Sequence, residues 1–88
     1  MIRLSELQLK EVILIKTGSR LGYISDLEID PTFGRVTALI ISTRQKGGIF
    51  GRMEEMIIDW NQIVTIGSDV ILVNSYDTVP LHTEEHRY

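Results

Sequence analysis

The apolar positions of this chain fall into short alternating runs separated by turn residues, a period-two pattern that predicts strands rather than helices. The pattern is clearest over residues 22–41. Leu27 and Ile29 alternate with Asp26, Glu28 and Asp30, giving one apolar and one acidic face. Asp30-Pro31-Thr32-Phe33-Gly34 follows, and its chemistry is that of a tight connection. Asp30 can accept a bond from its own backbone two residues on, Pro31 pre-sets φ, and Gly34 can take a positive φ. On the outgoing side Val36, Ala38 and Ile40 share one face, while Leu39 and Ile41 share the other. That strand is therefore expected to be covered on both sides. Ile24 is out of phase with Leu27 and Ile29, which predicts one extra residue, a bulge near Ser25-Asp26. Strand spacing sets Asp26, Glu28 and Asp30 in a row rather than around a point, so they are read as a solvated face, not a metal or substrate site.

The rest of the chain extends the same reading. Ser5 followed by Glu6 predicts a single helical turn with Leu4 and Leu7 folded inward, too short to stand alone. Residues 11–16 form a β-branched run, Thr17-Gly18-Ser19-Arg20 is a turn, and Leu21 re-enters the sheet. Met56, Ile58 and Trp60 alternate with Ile57 and Asp59 in a further long strand. Trp60 is expected to plug the core with its indole N–H bonded to a carbonyl. Asn61-Gln62 begins a short turn or 3₁₀ segment with Ile63 folded in. Residues 64–66 and 70–73 are two more short strands joined by Gly67-Ser68-Asp69. The domain is predicted over residues 1–73, followed by a polar, loosely held tail at 74–88 in which Pro80 interrupts any strand. Short strands with closely spaced turns indicate an all-β barrel or sandwich.

Composition narrows this without changing it. The chain has 88 residues, enough for one domain, and a chain of this size buries roughly 60–65% of its unfolded surface. It has no cysteine, hence neither a disulfide framework nor thiolate chemistry. Glu6 and Glu11 interrupt any candidate signal-peptide core, and no apolar run reaches spanning length, so a cytoplasmic protein without membrane insertion is expected. A net charge of −3 argues against a general affinity for nucleic acid or anionic membrane, while leaving room for a local basic patch.

An ordered series of short motifs resembles the PRC-barrel domain. It comprises Leu4-Ser5-Glu6-Leu7, Lys10-Glu11-Val12, Leu21-Gly22, Asp26-Leu27-Glu28-Ile29-Asp30 and Gly34-Arg35-Val36. Phe50-Gly51-Arg52, Ile57-Ile58-Asp59-Trp60, Ile63, Ile66-Gly67 and Asp69-Val70-Ile71-Leu72-Val73 are similar to its YlmC/YmxH sporulation-associated branch. The resemblance implies a small six-stranded barrel-like fold with a short helical turn, shared with a C-terminal domain of the ribosome maturation factor RimM and the cytoplasmic part of the photosynthetic reaction-centre H subunit. Those relatives use the domain to bind other macromolecules. Asp59 departs from the branch, which commonly has proline before the tryptophan.

Two segments are candidates for chemistry. His82-Thr83-Glu84-Glu85-His86 fits H-x-x-E-H, but two residues after His86 leave no room for a third zinc ligand, and no apolar helix face precedes it. It is read as a solvated polar tail. No Ser/His/Asp or Cys/His set is present, so no catalysis and no cofactor are expected. The glycine-rich segment after residue 43 is the stronger candidate. Arg44, Lys46 and Arg52 lie close together, with Ile49 and Phe50 between glycines. One reading is a hairpin loop with Ile49 and Phe50 tucked onto the barrel's end. The other is an apolar tip with a basic rim that docks a protein partner, a second copy of the chain, or RNA. Arg44, Lys46, Ile49, Phe50 and Arg52 are thus the predicted partner-binding residues. A protein partner is the leading expectation, RNA or ribosome association the alternative, and homodimerisation an addition that would cover Leu39 and Ile41.

Overall fold

The structure, a computed structural model, describes residues 1–44 and 53–80. It is all-β apart from one helical turn and one 3₁₀ turn. Its elements are α1 (Leu4–Leu7), β1 (Glu11–Leu14), β2 (Ser19–Tyr23), β3 (Asp26–Asp30), β4 (Arg35–Arg44), β5 (Met53–Asp59), a 3₁₀ turn (Trp60–Gln62), β6 (Ile63–Ile66), β7 (Val70–Val73) and β8 (Asp77–Pro80). Two four-stranded sheets result, one in the order β2-β1-β7-β6 and the other β3-β4-β5-β8. This corrects the six-stranded barrel: there are eight strands among the described residues, and the sheets do not close.

The two additional strands have physical causes. What reads as one run from Leu21 to Asp30 is two strands, because the chain changes sheets at Ile24 and Ser25, and the first of them already begins at Ser19, inside the predicted turn. Gly22, paired with Val12 beside the β1–β2 register shift, has φ +121°, and a Cβ there would lie 3.3 Å from Ile41 Cγ2. Ser25 then ties the crossing chain to β4. Its N–H donates to Ile40 O at 2.8 Å, its hydroxyl donates to the same oxygen at 3.1 Å, and Ser42 N–H donates to Ser25 Oγ at 3.0 Å. The phase change at Ile24 is therefore a change of sheet and not a bulge at Ser25-Asp26. The irregularity of the β3–β4 ladder lies further on, where Glu28 pairs with Ala38 and Ile29 with Val36. Thr37 is the extra residue, and its hydroxyl donates to Glu28 O at 3.2 Å. The second added strand, β8, lies within the segment read as a polar tail. It pairs with the β5 edge, where the missing N–H of Pro80 at the strand's end disrupts no central ladder.

The β3–β4 turn forms as its residues dictate. Thr32 N–H donates to Asp30 Oδ1 at 2.9 Å, Gly34 N–H donates to Asp30 O at 2.8 Å, and Gly34 has φ +64°. The helical turn begins one residue earlier than Ser5 implies. Arg3 occupies the N-cap, its N–H donating to Glu6 Oε1 at 2.9 Å. Leu7 is buried, whereas Leu4 is exposed.

The core lies between the sheets and contains Leu7, Val12, Ile24, Leu39, Ile41, Ile58, Ile71 and Val73. β4 is one of the two inner strands of its sheet, and Ala38, Leu39, Ile40 and Ile41 are all buried, so both its faces are covered as the pattern predicts. Ile29, near the end of β3, is 59% exposed although it shares the face of Leu27. Among the described residues no helix is long and apolar enough to cross a membrane.

Candidate binding site

Trp60 is the largest departure from the sequence expectation. β5 ends at Asp59, which has extended backbone angles (φ −61°, ψ 145°), and the chain tightens into the 3₁₀ turn at Trp60. The indole therefore leaves the strand's alternation. It is 44% exposed instead of plugging the core. It forms a shared wall of two adjoining clefts, which also share Val36.

The first cleft, about 360 Å³, is apolar. Its lining is Ile2, Leu4, Leu7, Leu27, Val36, Trp60 and Ile66. These come from the N-terminal segment, α1, β3, β4, the 3₁₀ turn and β6, so this cleft lies where the two sheets fail to close. Leu7 forms its floor because it belongs to the core. Ile2 and Leu4 are exposed, since the helical turn is too short to bury more than one leucine.

The second cleft, about 380 Å³, is polar and aromatic, lined by Asp30, Phe33, Arg35, Val36, Thr37, Asp59, Trp60 and Asn61. The tight turn holds Phe33 out in solvent, 70% exposed. The Arg35 guanidinium lies 5.4 Å from the centroid of the Phe33 ring, a cation–π distance. Asp30 is fixed by its bond from Thr32 N–H. Asp59 is exposed at the end of β5. The register places Asp59, Ala38 and Glu28 in one row across the sheet, and Asp77, Ile57, Ile40 and Asp26 in the next. The acidic face of β3 thus continues across the sheet, and its Asp30 end opens into this cleft.

Of the partner-binding residues read from the sequence, Arg44 is the last residue of β4, paired with Met53. Lys46, Ile49, Phe50 and Arg52 lie outside the described residues, as do His82 and His86. Among the described residues no group of three or more acidic or histidine side chains could hold a metal ion. One ion pair is present among them, Arg20 Nε to Glu11 Oε1 at 3.3 Å, on the sheet that does not carry the second cleft. Sequence reasoning missed the paired clefts because their walls are scattered from residue 2 to residue 66. The available signals were Phe33 inside a turn and Trp60 at the start of the Asn61-Gln62 segment.

The family model of the PRC-barrel domain matches residues 1–79, extending into β8. The chain is 46% identical over 74 residues to the probable sporulation protein YlmC of Bacillus subtilis (strain 168), covering 83% of this chain and 91% of that protein. It is 38% identical over 85 residues to the uncharacterized protein YmxH of the same strain, covering 94% of this chain and all (100%) of that protein. An uncharacterized protein of Clostridium acetobutylicum is 47% identical over 64 residues, or 73% of this chain and 74% of the relative. No solved structure matches the chain.

Proposed function

The chain belongs to the PRC-barrel domain family, and from that premise we propose that it is a non-catalytic binding module that recognises a protein partner. The observation that carries the reading is the half-exposed Trp60 standing between an apolar and a polar cleft. A large amphipathic ring at the junction of a concave apolar surface is the arrangement from which interface hot spots are built. The likeness to a probable sporulation protein supports a role in sporulation; a cytoplasmic setting is part of the same proposal. The segment bearing Arg44, Lys46, Ile49, Phe50 and Arg52 is proposed as a second recognition element, and self-association as one use of it.

The test is comparative capture from a sporulating Bacillus subtilis lysate with immobilised wild-type chain, Trp60→Ala and Phe33→Ala. A protein held by the wild type and lost from both variants supports the reading; one held equally by all three overturns the assignment to this surface. Phe33→Ala guards against misfolding, because Phe33 is a largely exposed turn residue. Ile49→Ala with Phe50→Ala tests the glycine-rich segment in the same format. RNA or ribosome association is a second reading, favoured by the three cations Arg44, Lys46 and Arg52 within nine positions. It requires steeply salt-dependent cosedimentation with ribosomes that is lost on neutralising those cations.

A further inference from the structure

We infer that the paired clefts take an extended segment of a partner protein carrying an apolar side chain and a lysine or arginine on the same side of its backbone. The inference rests on the reading of the chain as a protein-binding module and adds the chemistry of what is bound.

Each half of the ligand is specified by the half of the surface that meets it. The apolar cleft is floored by the core residue Leu7 and has room, at about 360 Å³, for a large aliphatic or aromatic side chain. An apolar group there gains about 25 cal/mol for each Å² it withdraws from water. The polar cleft presents the carboxylates of Asp30 and Asp59 beside the rings of Phe33 and Trp60. Carboxylates next to aromatic faces attract a cation, by charge and by the ring quadrupole. Arg35 already stacks on Phe33, so the cleft keeps one negative charge in excess. The surrounding sheet face adds Asp26, Glu28 and Asp77, all exposed, which deepen the negative potential toward which a basic segment is steered. An RNA strand meets the opposite condition, since its phosphates would approach this row of carboxylates.

Spacing follows from the shared wall. The two clefts meet at Val36 and Trp60, so the two ligand groups must be near neighbours on one side of the bound backbone. In an extended chain those are residues i and i+2, ~7 Å apart.

Trp60 is the one tryptophan of the chain, so its indole N–H gives a single, assignable NMR signal. The probes are three short Ser/Gly-flanked peptides with the cores Phe-Ser-Arg, Phe-Ser-Gln and Phe-Ser-Glu. They are titrated into the isotope-labelled full chain and into Asp30→Asn/Asp59→Asn. Asparagine at residue 30 retains the oxygen that accepts from Thr32 N–H, so the turn is preserved. The Arg peptide should shift the indole signal and bind the wild type roughly three- to tenfold more tightly than the Gln peptide, and the Glu peptide should bind more weakly still. The double variant should erase the difference between Arg and Gln. Equal binding of all three peptides at Trp60 overturns the cationic half while leaving a binding module in place. An indole signal that moves only with protein concentration overturns the inference and leaves self-association as the protein-partner reading, whereas one that no peptide moves, or that moves only with an added RNA oligonucleotide, overturns both.

Discussion

Replacing Leu39 with alanine and, separately, Ile29 with alanine sets two chemically similar deletions against each other across one sheet. Both residues belong to alternating apolar runs, yet the structure buries Leu39 completely and leaves Ile29 on the surface. Leu39 pairs with Leu27 on one side and Ile58 on the other, in the middle of the core between the sheets. Each substitution removes the equivalent of about three methylene groups, or about 2.4 kcal/mol of transfer free energy for a buried side chain. For Leu39 the surrounding sheets cannot collapse fully, so a cavity contribution raises the expected loss to about 3–4 kcal/mol. For Ile29 most of the side chain is already in water and no cavity forms, so the loss should be about 1 kcal/mol or less. A domain of this size has a stability of about 4–13 kcal/mol. Leu39→Ala should therefore consume a large part of it and lower Tm by about 12–30 °C. Equilibrium urea unfolding followed by Trp60 fluorescence measures both losses, provided the m-value stays constant. An Ile29→Ala loss as large as that of Leu39→Ala would refute the exposed position of Ile29 near the end of β3.

Further consequences follow from the sheet crossing and from β8. Gly22→Ala should destabilise by about 1–2 kcal/mol, since φ +121° is strained for any L side chain and the new Cβ meets Ile41; thermal unfolding reports it. Ser25→Ala removes the hydroxyl that bonds Ile40 O and accepts from Ser42 N–H, with an expected loss of about 1–2 kcal/mol by urea unfolding. Truncation after Ser75 removes β8 and Tyr76, which packs against the core, and should lower Cm measurably; an unchanged Cm would return this segment to the status of a loose tail.

The contrast between these positions shows which physical information is local. The Asp30–Gly34 turn was legible because every bond that closes it joins residues within the turn. The double cover of β4 was legible because apolar residues occupy both of its faces. At Ile24 the sequence shows a parity change, but a bulge and a change of sheet alter parity identically, and only the tertiary bonds of Ser25 to β4 separate them. β8 was hidden because its stabilisation comes from pairing with a distant edge rather than from its own mixed polar composition. Trp60 was misplaced for a related reason: its alternation with Ile58 predicts burial, and the outcome depends on the strand ending one residue earlier. The clefts are non-local throughout, assembled from α1, β3, β4, the 3₁₀ turn and β6, so no spacing rule announces them.

The central claim, that the surface around Trp60 is where the protein meets its partner, is tested most directly by photo-crosslinking in sporulating cells. A photoreactive phenylalanine analogue is placed at residue 33, beside Trp60 in the polar cleft, and as a control at residue 20, exposed on β2 of the other sheet. The account predicts a discrete protein adduct from residue 33 that is absent from residue 20 and lost when Trp60 is also changed to alanine. The same adducts from both positions, undiminished by Trp60→Ala, would contradict it.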